Sequence, residues 1–410
     1  MSPTLSEAFV AHVQRNCHVA DARHAADMTL CTYLLQMREF FRWEQGLALQ
    51  MPLARAAVGA WMAEREALWA EVADEGYAAL PLPGGGSADP FDVDAVNAAL
   101  APLSLLYGAG LVARERPVFF VADLHGRAQR EGVAVLQAGR ERARTLLAPP
   151  AALGGGGAGP IVLRRESMAR WCWERAEAYA MRPRPGGALH AMLAHYGLER
   201  DFQAGLPRWL DDQCETAVWH ELGEYRLSKR WRARWTDLRA ALDGSADGLA
   251  TDPAREGAHG PAREAAHGET RAATLGDARA AARGDAREAA RGDALVRALR
   301  DQLADLGVTL PALLERGDAG PMHAWFAAYE GLREAMFPAL SAAYAAWRGG
   351  DGGALLKVQM AHGLRHFEAL AADLLEGPAA ARAAARTRLM QSAPGTGVPP
   401  SIICRWPPGS

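Results

Sequence analysis

Residues 244–293 constrain the fold more than any other stretch. Through DPAREGAHGPAREAAHGETRAATLGDARAAARGDAREAARGDA they run as a degenerate repeat of Ala-Arg-Glu and Gly-Asp-Ala-Arg units, with almost no large apolar side chain. Such a segment cannot bury enough surface to offset the entropy of ordering it. Ala and Arg favour helix while the recurrent Gly opposes it. The sequence therefore predicts a disordered, low-complexity insert without chemistry, and His259 and His267 are set aside with it. The segments on its two sides must then complete one core across it.

Those flanks have helical periodicity. RRESMARWCWERAEAYA and ALHAMLAHYGL precede a helix carrying QCETAVWHELGEYR at 213–226. On that helix Leu227, Trp231, Trp235, Leu238 and Leu242 make one apolar stripe. Helices resume with ALVRALRDQLADLG, PMHAWFAAYEGLREAMF, ALSAAYAAWRGG and LLKVQMAHGLRHFEALAADLLEG, and Gly377-Pro378 reads as a stop. At the other end, Thr4 to Met51 holds no proline and a single glycine, Gly46. Phe9, Val13, Val19, Leu30, Leu34, Leu35, Phe41 and Leu47 recur at helical spacing, in one long helix or two broken at Asp21. A further helix follows Pro52. PVFFV at 117–121, GVAVL at 132–136 and PIVL at 160–163 are short β-type runs, and AALGGGGAGP at 151–160 reads as a loop.

The expected fold is mainly α: a multi-helix, bundle-like assembly with a small β-hairpin or sheet element and a disordered insert. Its units are an N-terminal helical unit at 1–80, a linker and β element at 81–160, and a helical core at 161–243. The insert at 244–293 follows, then helices completing the core at 294–376 and a Pro/Gly-rich tail at 377–410.

Bulk properties narrow the function. Half of the 410 residues are hydrophobic, and the formal net charge of -3 gives no global attraction for nucleic acid or anionic lipid. The five cysteines are odd in number and form no Cys-x-x-Cys, as expected of reduced thiols in the cytoplasm. MSPTLSEAFVAHVQRN lacks the basic start and apolar core of a signal peptide, and no run of 18 apolar residues exists. A cytoplasmic protein is predicted, with no membrane partner, nucleic acid disfavoured and homo-oligomers compatible. No Gly-rich phosphate-binding motif or Gly-x-Ser-x-Gly elbow occurs in strand–turn–helix context.

The chemistry-bearing types gather on three helical faces. His220 and Glu224 are four residues apart, about 40° in rotation, and project from one side of their helix. This His-Glu-x-x-Glu lacks the second histidine of the zinc peptidases. His323, Glu330 and Glu334 share a sector of another helix, and His362, His366 and Asp373 share a sector of a third. Together they offer imidazoles and carboxylates, the donors of iron, manganese or zinc in helical bundles. Ion pairs with Arg226, Arg333 or Arg365 would satisfy the same groups without metal. A separate stripe, Cys17, Asp21, His24, Met28, Cys31, Leu35 and Arg38, invites an Asp21–His24 hydrogen bond. Cys17 and His24 stand about 10 Å apart along a helix, too far for a thiol–imidazole pair. Arg38, Glu39, Arg42 and Glu44 read as intrahelical ion pairs. His125, after a short strand, is a minor candidate.

CTYLLQMREFFRWEQ, RRESMARWCWERA and WHELGEYR, in this order, resemble the signatures of an uncharacterised family of bacterial proteins. The likeness spans most of residues 10–243 and 294–376 and implies no activity. A weaker analogy is to hemerythrin-type bundles, in which His-x3-Glu precedes His-x3-His. Here His220/Glu224 precede His362/His366, but far apart and without the remaining pattern.

Three functional readings follow. The first is a transition-metal site built from His220, Glu224, His323, Glu330, Glu334, His362 and His366. The second is a non-enzymatic scaffold or interaction module whose His and Glu residues are locked in salt bridges. The third is RNA binding through 226–239, where arginines alternate with Trp231 and Trp235.

Overall fold

The computed structural model describes residues 5–112, 116–147, 149–154, 159–242 and 292–392. The predicted insert lies outside them, save that residues 292 and 293 begin a helix, and so does the tail beyond residue 392.

Three helices open the chain: α1 (Leu5–His24), α2 (Leu30–Glu44) and α3 (Arg55–Val72). The break expected at Asp21 falls later, at a 3-10 turn over Ala25–Asp27, after which the Thr29 hydroxyl caps α2 by accepting the Thr32 N–H. Asp21 does not hold His24. Its carboxylate accepts the Leu146 N–H at 2.9 Å, and His24 faces Asp27 at 3.4 Å. Cys17 is buried against the Phe119 carbonyl, whereas Cys31 is exposed, so the stripe is no single site. Within α2, Glu39 accepts from both Arg38 and Arg42, as its spacing suggests, while Glu44 turns instead to Arg65 on α3.

The fold-class expectation needs correction. The N-terminal region is mixed α/β, with a curled five-stranded sheet in place of a small hairpin on a helical bundle. After a two-residue ribbon of β1 (Leu80–Pro81) and β2 (Ser87–Ala88), and α4 (Val93–Leu100), come β3 (Leu105–Val112), β4 (Arg116–Arg130), β5 (Val133–Arg144), β6 (Ala151–Leu153) and β7 (Ile161–Arg164). Their order is β3-β4-β5-β7-β6, antiparallel except for β5 with β7. The predicted β-type runs are only the apolar parts of β4, β5 and β7. Their polar continuations, HGRAQR and QAGRERAR, pair just as well because the ladder needs backbone groups, not apolar side chains. In β3, a side chain on Gly108 would meet the Phe120 ring at 2.1 Å, so glycine is required at a position too bare to be read as strand from sequence.

Alternation fixes which face is covered. Tyr107, Phe119 and Val121 join Phe9, Val13, Cys17 and Ala20 of α1 in one cluster, and their neighbours Leu106, Phe120 and Ala122 pack on the opposite face. The β5-β7-β6 end packs instead on α5 (Arg165–Met181) and α7 (Phe202–Leu242), through Val135, Ile161 and Leu163 against Met168, Cys214 and Leu222. Strand β7 runs directly into α5, which ties the sheet to the helical region.

Beyond α6 (Ala188–Tyr196), that region is built on a hairpin of two long elements. Helix α7 bends at Trp231 (φ −134°, ψ 19°). Helix α8 (292–304) returns beside it and passes through a π-helical turn, Asp305–Thr309, into α9 (Leu310–Arg316). Contacts of His220 with Asp305, Gly223 with Ala304 and Glu224 with Arg300 show that the two legs run antiparallel. Trp231 and Trp235 of one leg and Leu295, Leu299 and Leu303 of the other share the largest apolar core. Around it pack α10 (Ala319–Ala328), α11 (Leu332–Met336), α12 (Ala339–Arg348), α13 (Ala354–Glu376) and α14 (Ala379–Gln391). No helix among the described residues is long and apolar enough to cross a membrane.

Candidate metal centre

The opening helices of the hairpin bring two i, i+4 pairs face to face. His220 and Glu224 project from α7, and Asp301 and Asp305 project from α8 and its π turn. Gly223 permits this approach, since a side chain there would stand 2.8 Å from three atoms of Ala304. One donor atom from each of His220, Glu224 and Asp301 lies within 4.8 Å of the other two.

The imidazole is oriented. Its Nδ1 meets Asp305 Oδ1 at 2.8 Å, which leaves Nε2 facing Asp301 Oδ1 at 3.8 Å. A carboxylate on one ring nitrogen fixes the tautomer and raises the basicity of the other, the arrangement common behind metal-bound histidines. Asp305 in turn accepts from Arg333, and Glu224 accepts from Arg300. Asp301 is different. Its side chain is 8% exposed, and its Oδ2 is buried without a hydrogen-bond partner.

Charge is out of balance. Glu221, Glu224, Asp301 and Asp305 face Arg300, Arg333 and His220, so carboxylates outnumber cations even with the imidazole protonated. Burial alone would push His220 down, but Asp305, then Asp301 and Glu221, reverse this and raise it to about 10. Burial lifts Glu221 to about 7 and Asp301 to about 6, each with added push from neighbouring carboxylates. Burial would lift Asp305 too, but His220 and Arg333 hold it below the ordinary carboxylate range.

The other five expected ligands are not brought to this point. His323 bonds the Tyr344 hydroxyl at 2.8 Å and lies by the rings of His195 and Trp347. Burial and Arg348 push it down to about 4. Glu330 stands 3.9 Å from Arg175, and Glu334 accepts from the Ser341 hydroxyl at 2.9 Å. His362 and His366 are exposed on α13, and Asp373 pairs with Arg388. The His362/His366 stripe is a real face of α13, but it meets solvent; the His323/Glu330/Glu334 stripe is not one face, because α10 ends at Ala328, Glu330 falls in the link and Glu334 belongs to α11. His125 is an exposed residue within β4. Asp301 and Asp305 were missed, although Asp-x3-Asp mirrors His-x3-Glu in plain view within RDQLADLG.

The segment 226–239 offers no stacking platform at Trp231 or Trp235, which are buried in the helical core. Arg226, Arg230 and Arg234 pair with Glu131, Glu368 and Glu376.

The fold and site thus define a class: a mixed α/β N-terminal region joined to a helical region that carries a buried His–carboxylate cluster. The chain matches two models, the N-terminal domain of a family of unknown function (DUF6866) over residues 8–164 and the C-terminal domain of the same family over 169–250 and 266–394. It belongs to that family. No curated protein and no solved structure matches the chain.

Proposed function

We propose that the chain is a metal-binding protein in which His220, Glu224 and Asp301 hold one divalent transition metal between α7 and α8. What carries this reading is Asp301, a buried carboxylate with an unpartnered oxygen in a group that already has surplus acid. A divalent cation would neutralise that surplus and give Oδ2 a partner. One imidazole and two carboxylates, with no thiolate, suit iron, manganese or zinc. Three protein donors leave coordination positions for water or substrate, as catalytic rather than structural sites do. The described cysteines are free thiols, in keeping with a cytoplasmic setting.

A second reading rests on the Glu224–Arg300 and Asp305–Arg333 bonds, which make the cluster a structural ion-pair network. Elemental analysis separates the two. Chelator-treated protein reloaded with manganese, iron(II) or zinc is expected to retain one equivalent through gel filtration. His220→Ala and Asp301→Asn are each expected to lose it. Wild type that retains no more metal than the Asp301→Asn variant, whose near-isosteric change preserves packing, overturns the metal centre in favour of the network.

A further inference from the structure

Beside the cluster lies a cavity of about 60 Å³. It borders His220 and Asp305 but neither Glu224 nor Asp301, so it shares only the imidazole with the proposed ligand set. Its remaining walls include Trp171 from α5, Gln213 from α7, Trp325 from α10 and Arg333 from α11, with alanine and methionine between them. Three lining residues carry a buried polar atom without a hydrogen-bond partner: Trp171 Nε1, Arg333 Nε and Thr309 Oγ1. Arg333 spends its other nitrogens on Asp305 and the Ala328 carbonyl, and it is 1% exposed. Native proteins rarely leave buried donors without a partner, and those that persist beside a cavity mark where a ligand's acceptor belongs.

We infer that this cavity binds a small organic carboxylate with a short apolar chain. Two unmet N–H groups call for acceptor oxygens. One of those donors belongs to the Arg333 guanidinium, and a cationic donor bonds an ionised oxygen about twice as strongly as a neutral one, which calls for a carboxylate. The two indoles and the alanines call for an apolar remainder. At about 10–15 Å³ per water-sized group the space takes about five such groups, and propionate has that many non-hydrogen atoms. The inference does not rest on the metal centre.

Propionate is the probe, titrated into chelator-treated full-length protein at constant ionic strength while indole N–H resonances are followed. The Trp171 resonance, identified by its loss in Trp171→Phe, is expected to move saturably. Trp171→Phe is expected to weaken binding about ten-fold, the usual loss of a hydrogen bond to a charged acceptor. Ala328→Leu, which fills the cavity and keeps every polar group, is expected to abolish binding. Propionamide is expected to bind at least ten-fold more weakly. An unmoved Trp171 resonance, equal affinity for the amide, or unchanged binding in Ala328→Leu each overturns the inference. Asp301→Asn does not touch the cavity wall and is expected to bind propionate as wild type does, so loss of metal and loss of propionate are read apart.

Discussion

Two of the buried charge clusters among the described residues are finished differently. Where the sheet meets α5, Glu141 accepts from Arg164 at 2.7 Å and from the Ser167 hydroxyl at 2.6 Å, with Arg144 at 3.8 Å. The two arginines extend to the Pro149, Thr145 and Leu146 carbonyls and lie over Phe120, Phe40 and Trp43. Both Glu141 oxygens are satisfied, and a single arginine nitrogen, Arg164 Nε, lacks a partner. At the α7–α8 contact the acid is in surplus, an Asp301 oxygen is unmet and a cavity adjoins. Burial is deeper in the first, where Glu141, Arg144 and Arg164 are almost wholly covered, than in the second, where His220 and Glu224 keep some exposure. They differ in completeness as well: the first cluster locks two regions together, and the second keeps capacity for something the chain does not supply.

The largest effect should come from testing that difference directly. Glu141→Gln leaves Arg164 and Arg144 buried without their counter-charge and is expected to cost about 3–5 kcal/mol in denaturant unfolding, the range for breaking one side of a buried pair. Asp301→Asn in metal-free protein removes charge from a group that has too much of it, and should change stability by less than about 1 kcal/mol. Equal losses in the two variants would break the comparison, since both carboxylates would then be structural.

A pair of buried histidines gives the next test. His220 is surrounded by carboxylates, whereas His18 is surrounded by donors. The Trp69 indole reaches its Nδ1 at 3.4 Å and Arg65 its Nε2 at 3.1 Å. Burial, then Arg65 and Arg15, depress His18 to about 4 from an ordinary 6.5. Between those values the unfolded chain takes up a proton that the folded chain refuses. The His18 contribution is therefore whole above pH 6.5 and is lost as pH falls to 4, a swing of about 3 kcal/mol at most. Stability measured against pH for wild type and His18→Gln should diverge by that amount across the window. Parallel curves would show that His18 does not titrate there.

Legibility divides along the same line. The α1 and α7 stripes could be read because a helix repeats its buried face every few residues, so Phe9, Val13 and Cys17, or Trp231, Trp235 and Leu238, announce themselves. The sheet could not, because Gly108 hides a strand and the far halves of β4 and β5 are polar. At the site, spacing showed correctly that His362 and His366 share a face. It could not show that the face meets solvent, because periodicity sets which residues project together and not what they project toward. Asp301 and Asp305 had the required spacing, but an acidic pair on a helix is ordinary until a partner helix is placed against it. That placement depends on contacts across the insert.

The smallest effect probes what brings α7 and α8 together. Gly223 has no room for a methyl group against Ala304, so Gly223→Ala should push the legs apart and cost about 1–3 kcal/mol, the usual penalty for overpacking. Gly307, in the π turn, has only an ordinary contact with Leu364 at 3.6 Å, and alanine there should be neutral or stabilise by less than about 1 kcal/mol. If the cluster depends on the close approach, Gly223→Ala should also weaken metal retention while Gly307→Ala leaves it intact. Full retention in a destabilised Gly223→Ala protein would mean that the donors tolerate separation, and the centre would then be set by the helix faces alone and not by the distance between them.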